Sequence, residues 1–145
     1  MRTLAKIAFV MLMLLVGLVL FVAKRWNELS ALCGNEVLST TLAPGGRTRA
    51  VLFRRDCGAT TGFSTQVSVL SGTDSLPNEP GNVFVIGADR GQASPPRGDA
   101  PVVRVRWLDA GRLQIRYDAG WRVSVADTLV DGIRIHYVKT APPDA

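Results

Sequence analysis

The stretch "VVRVRWLDAGRLQIRYDAGWRVSV", Val102 to Val125, decides the fold. Apolar and polar residues alternate along it with period 2, the pattern of strands that bury one face and wet the other. Two Asp-Ala-Gly triplets, Asp109 to Gly111 and Asp118 to Gly120, interrupt the alternation nine residues apart. Each is expected to form a three-residue hairpin loop with its glycine in the left-handed conformation. Folding the chain at these turns sets Trp107 against Leu113, Val105 against Ile115, Ile115 against Val123, and Tyr117 against Trp121. All four pairs are apolar. A slip of one residue would set Arg against Ile throughout, so this spacing predicts an antiparallel meander in this register.

The rest of the chain repeats the signal on both sides of that stretch. "GIRIHYV" from Gly132 turns Ile133, Ile135 and Tyr137 to one face, and "STQVSVL" separates Thr65, Val67 and Val69 from Ser64, Gln66 and Ser68. "NVFVIG" is a shorter apolar run, and "EVLSTTLA" and "TRAVLFRRDC" flank "PGGR", Pro44 to Arg47, a hairpin connection. Seven or eight strands are counted, with no helix in this part. The expected fold is all-β: a small antiparallel β-sandwich or a strongly curved meander sheet. Phrases such as "LAPGGRTRAVLF" resemble pieces of β-propeller blades, but about 120 residues cannot supply four blades of about 40.

The N-terminal segment is of another kind. Ile7 to Ala23, "IAFVMLMLLVGLVLFVA", carries no charge and no polar side chain. With Leu4, Ala5 and a snorkelling Lys6 it reaches roughly the 30 Å of a hydrocarbon core, so a transmembrane helix is expected, with a lipid bilayer as partner through residues 4–25. A cleaved signal peptide is the alternative, but cuts after Ala23 or Ala31 would put Phe21 or Leu29 where a small residue is needed. Bulky Leu32 before Cys33 argues against lipid attachment there. The expected organisation is thus an anchor at 1–25 and one domain at 26–145, with a Gly/Pro-rich loop at 87–101 and a flexible tail at 140–145. Large C-terminal domains translocate largely regardless of charge, so the expected location is a single-pass inner membrane with the domain extracytoplasmic.

Charge and cysteines refine this picture. Of seventeen basic residues, Arg2, Lys6, Lys24 and Arg25 flank the apolar segment, leaving thirteen against twelve acids in the domain. Near-neutrality gives no reason to expect nucleic acid as a partner. Cys33 lies twelve residues before Gly45 and Cys57 twelve after it. If the hairpin pairing keeps its register that far, the two are in disulfide reach, and closing the loop contributes roughly 3 kcal/mol.

No complete catalytic or metal constellation is present in the sequence. Gly58 and Gly62 are followed by no Gly-Lys-Ser/Thr, and the only histidine is His136. The stretch "RRDCGATTGFSTQVSVL", with Asp56, Thr60, Thr61 and Ser64, reads as a shaped turn beside the cystine, with a ligand-contacting loop as its functional alternative. Neither an enzyme nor a cofactor is expected. The candidate functional surface is the outer face of the meander, where Arg104, Arg106, Arg112, Arg116 and Arg122 point away from the core and Arg116 lies between Arg104 and Arg122. Like charges set side by side ask for a compensating anion. The expected function is a non-catalytic binding or interaction module meeting anionic lipid, acidic glycan or a protein partner. A small hydrolase using carboxylates such as Asp56 and Asp89 is the alternative.

"NEVLS", "PGGRTRAVLFRRDCGATTGFSTQVSVL" and "GNVFV" together resemble a family of small single-span bacterial membrane proteins that carry a domain of unknown function. The likeness covers about Cys33 to Val85. It implies a membrane-anchored envelope protein and brings no activity, cofactor or catalytic residue. "RGD", Arg97 to Asp99, matches an integrin-binding tripeptide by coincidence of composition.

Overall fold

A computed structural model describes residues 2–30, 33–58, 63–87 and 101–141. Thr60, Thr61, Asp89 and Arg97 to Asp99 lie outside the described residues. The chain divides into two compact units, Met1–Leu32 and Cys33–Ala145.

The first unit is helix α1, Arg2–Ser30. Its apolar side chains, among them Phe9, Leu14 and Leu20, are exposed. The expected transmembrane helix is corrected here: among the described residues no helix is long and apolar enough to cross a membrane.

The second unit holds nine strands among the described residues: β1 Gly34–Leu42, β2 Thr48–Asp56, β3 Phe63–Ser71, β4 Phe84–Gly87, β5 Val103–Asp109, β6 Arg112–Asp118, β7 Val123–Ala126, β8 Leu129–Val130 and β9 Ile133–Thr140. They form two sheets, ordered β1-β2-β3-β4-β7 and β5-β6-β9-β8. One apolar cluster joins them. Ala50, Val67, Val69, Phe84 and Ile86 from the first sheet pack with Leu113, Ile115, Tyr117, Ile133 and Ile135 from the second. Hydrogen bonds also tie the sheets: the Tyr137 hydroxyl donates to the carbonyl of Asp127 (2.7 Å) and lies within reach of that of Val83 (3.1 Å), and the Trp107 indole donates to that of Thr41 (3.0 Å).

The β1-β2 hairpin carries the Cys33–Cys57 disulfide. Its register depends on a bulge. Near the turn Ser39 faces Leu52, but beyond Leu38 the ladder shifts so that Val37 faces Phe53 and Gly34 faces Asp56. A straight ladder would have carried Cys33 opposite Gly58; the extra residue at Leu38 brings it opposite Cys57. Gly45 and Gly46, at φ of 93° and 70°, occupy the left-handed backbone that the tight turn requires.

The predicted meander is half right. Trp107 faces Leu113 and Val105 faces Ile115, as the alternation requires. Gly111 is not left-handed, because a bulge at Leu108 tightens the connection until Asp109 faces Arg112 and the Asp109 carboxylate accepts the Gly111 N–H at 2.9 Å. The second hairpin is absent. β6 pairs in parallel with β9, Leu113 beside Ile135 and Ile115 beside Tyr137. β7 joins the other sheet, Val125 facing Val85 and Val123 facing Ile86. After Asp118 the ladder continues through Ala119 N–H to the Thr140 carbonyl, while buried Trp121 leads the chain across. Eight-residue β9, with Ile133 and Ile135 buried, offers β6 a longer apolar neighbour than four-residue β7. The fold is therefore a β-rich two-sheet sandwich with one parallel pair and an N-terminal helix, in place of an all-antiparallel meander behind a membrane span.

The first sheet is covered on both faces. Phe53 and Val51 are fully buried on the face away from the shared core. The connection at 72–82 is bonded across that face: Gly81 N–H to Gln66 Oε1 at 2.6 Å, Asn82 N–H to Ser68 Oγ at 3.3 Å, and Arg55 to Asn78 Oδ1 at 3.1 Å. Gly81 lies so close that a Cβ would meet the Val67 carbonyl at 2.8 Å.

Candidate anion-binding site

The outer face of the second sheet is open, and period 2 determines what it displays. β5 presents Arg104 and Arg106, β6 presents Arg112, Gln114 and Arg116, and β9 presents Arg134 and His136. The pairing turns these into rows across the strands: Arg104 faces Arg116, Arg106 faces Gln114, which stands beside His136, and Arg112 stands beside Arg134. Neighbouring strands lie about 4.8 Å apart and alternate residues on a strand about 6.8 Å apart. Five arginines thus share a patch roughly three strands wide.

Among the described residues, acids sit only at its ends. At one, the Asp109 carboxylate pairs with the Arg112 guanidinium at 2.5 Å. The Gly111 N–H, and after it Arg112, hold that carboxyl below the usual carboxylate range. At the other end Asp118 Oδ2 accepts the Val102 N–H and Oδ1 accepts the Thr140 hydroxyl, both at 3.3 Å. Among the described residues Arg104, Arg106, Arg116 and Arg134 have no ion-pair partner; Arg106 reaches only Gln114 Oε1, at 3.5 Å.

Beside the Arg104–Arg116 pair the surface hollows into a cleft of about 340 Å³ lined by Val102, Arg104, Arg116, Asp118, Thr140 and Ala141. Thr140 closes β9 and anchors there, its hydroxyl also reaching the Tyr117 carbonyl at 3.1 Å.

The expected site residues divide accordingly. Arg104, Arg106 and Arg116 share the outer face, and the first and last are directly opposite. Arg122 does not join them: it precedes β7 and its carbonyl accepts the Gly87 N–H of the other sheet. Sequence reasoning missed Arg134, His136, Thr140 and Asp118 as members of the site. Alternation in "GIRIHYV" already separated Arg134 and His136 from Ile133 and Ile135, but nothing local to it named β6 as the neighbour.

The loop by the cystine is differently disposed. Asp56 Oδ1 accepts the Gly58 N–H at 2.8 Å, and Gly58 has a φ of 91°, so Asp56 shapes the turn. Ser64 Oγ accepts from Gln66 Nε2 at 2.7 Å on the covered face of the first sheet. Thr60 and Thr61 lie outside the described residues. Among the described residues no group of three His, Cys, Asp or Glu is placed to hold a metal.

No family model matches the chain, and no curated protein or solved structure matches it.

Proposed function

We propose that the β domain is a non-catalytic binding module that holds a segment of acidic polysaccharide against the outer face of its second sheet. One observation carries this: five arginines from three adjacent strands share one open face, and among the described residues only Arg112 has a carboxylate partner. Side-by-side guanidinium groups repel, and an anion laid across them replaces repulsion with charge-assisted hydrogen bonds. The bracketing carboxylates favour a polymer over a plane. Asp109 and Asp118 would oppose a wide negative surface such as a bilayer, whereas a short acidic chain fits between them. Among the described residues no Phe, Tyr or Trp stands among the arginines to stack a nucleobase. The disulfide belongs to the kind that persists in oxidising compartments, which supports a location outside the cytoplasm, where such polymers occur.

The test uses the full chain in non-ionic detergent, titrated with a fluorescent oligogalacturonate at rising salt. Binding should weaken with salt. Arg116→Gln and Arg134→Gln should each reduce affinity several-fold and flatten that dependence. Equal binding to neutral dextran, indifference to both substitutions, or a preference for anionic vesicles over the oligomer would each refute the proposal.

A further inference from the structure

The open face accounts for charge but not for the cleft at its end, where the two opposed arginines meet a carboxylate. Arg104 and Arg116 are directly opposite on β5 and β6, so their guanidinium groups rise from backbones about one strand spacing apart. Asp118 stands two residues beyond Arg116 on the same strand and the same face, roughly 6.8 Å along. Its carboxylate is held in place by the Val102 N–H and the Thr140 hydroxyl. Both bonds are 3.3 Å, and each oxygen keeps a free lone pair, so the group can still accept from a ligand. Exposed Val102, with Ala141, adds an apolar wall.

This combination discriminates between ligand classes. A phosphate or sulfate offers only negative oxygens, which the arginines would welcome and Asp118 would repel. A neutral sugar satisfies Asp118 with its hydroxyls and leaves the arginine pair uncompensated. A polyhydroxy-carboxylate satisfies both at once: its acid group spans Arg104 and Arg116, a hydroxyl on the same molecule donates to Asp118, and the C–H face of its ring lies on Val102 and Ala141. The volume, about 340 Å³, falls at the small end of ligand clefts and suits a single monosaccharide.

We infer that the Arg104–Arg116–Asp118 cleft is a subsite for one sugar-acid unit, a specificity that rests on the proposed binding of acidic polysaccharide and adds a reader of single residues to it. The remaining arginines then supply attraction along the chain, and the cleft selects carboxylate sugars over other polyanions.

The experiment measures D-glucuronate, glucose and inorganic phosphate binding to the full chain by calorimetry at fixed ionic strength, with circular dichroism confirming that each variant is folded. Glucuronate should bind at least tenfold more tightly than either glucose or phosphate. Arg104→Gln should abolish that binding. Asp118→Asn should weaken glucuronate several-fold while strengthening phosphate, a change of opposite sign that a purely structural role would not produce. Arg134→Gln, outside the cleft, should leave glucuronate unaffected while weakening the oligogalacturonate. Phosphate binding as tightly as glucuronate, or Asp118→Asn shifting both in the same direction, would overturn the assignment. Failure of glucuronate with oligogalacturonate binding intact would overturn the cleft alone, and the reverse would overturn the polymer face alone.

Discussion

Replacing Arg55 with methionine tests how the first sheet holds its cover. Arg55 is 6% exposed, and its Nη1 donates to Asn35 Oδ1 at 2.7 Å and Asn78 Oδ1 at 3.1 Å. Asn35 in turn donates to the carbonyls of Pro77 and Glu79, and Asn78 donates to that of Cys33. The guanidinium is therefore the hub between the hairpin end and the 72–82 connection. A hydrogen bond from a charged donor contributes about 1.5–3 kcal/mol, so losing two would cost about 3–6 kcal/mol. Part returns, because methionine removes the desolvation of the charge. Burial pulls the Arg55 pKa down, with Glu79 opposing it. Methionine also keeps the apolar stem of the side chain. The net expectation is a loss of about 2 kcal/mol, a fall in Tm of roughly 5–15 °C for a unit of this size. Thermal unfolding followed by circular dichroism measures it, and hydrogen exchange should show the Gly81 amide losing protection before the β2 and β3 amides. An unchanged Tm, or equal loss of protection throughout both sheets, would refute the hub.

Three further perturbations address the sandwich. Tyr137→Phe removes the hydroxyl that joins the sheets and should cost about 1–3 kcal/mol by chemical denaturation. Burial raises the Tyr137 pKa, so the folded protein keeps a proton that the unfolded chain has lost above about pH 10. Wild-type stability should fall with pH there, and the phenylalanine variant should lack that part of the slope. Deleting Leu38 straightens the β1-β2 ladder while leaving Cys33 opposite Cys57, so the disulfide should form in full by mass spectrometry after alkylation. Inserting one alanine between Ser39 and Thr40 displaces Cys33 by a residue and should lower the oxidised fraction.

Much of the candidate site was legible because it depends on which way a side chain points. The spacing around Asp109 placed Arg104 opposite Arg116, and the structure pairs them so. The cystine was legible too, although the symmetry about Gly45 succeeds only through the bulge at Leu38, which no residue type announces. One local signal went unused. Asp131 and Gly132, at φ of 49° and 80°, form the two-residue turn between β8 and β9 that an Asp-Gly pair favours, but two-residue β8 leaves no alternation to mark it.

What the amino-acid sequence determined by itself is facing: which residues of each strand enter the core, where the chain turns, and that Arg104, Arg106, Arg112 and Arg116 lie on one side. Only the tertiary structure decided adjacency. Period-2 alternation says nothing about which strand lies alongside, since every strand with one apolar face can match every other. Tyr117 with Trp121 and Ile115 with Val123 satisfied that rule as well as the neighbours that form. The choice went to β9 because two sheets must close over one core. β6 gains a longer apolar partner in β9, Trp121 is buried where the chain crosses, and β7 completes the edge of the opposite sheet. That choice removed Arg122 from the arginine face, brought Arg134 and His136 onto it, and set Thr140 beside Asp118 to form the cleft.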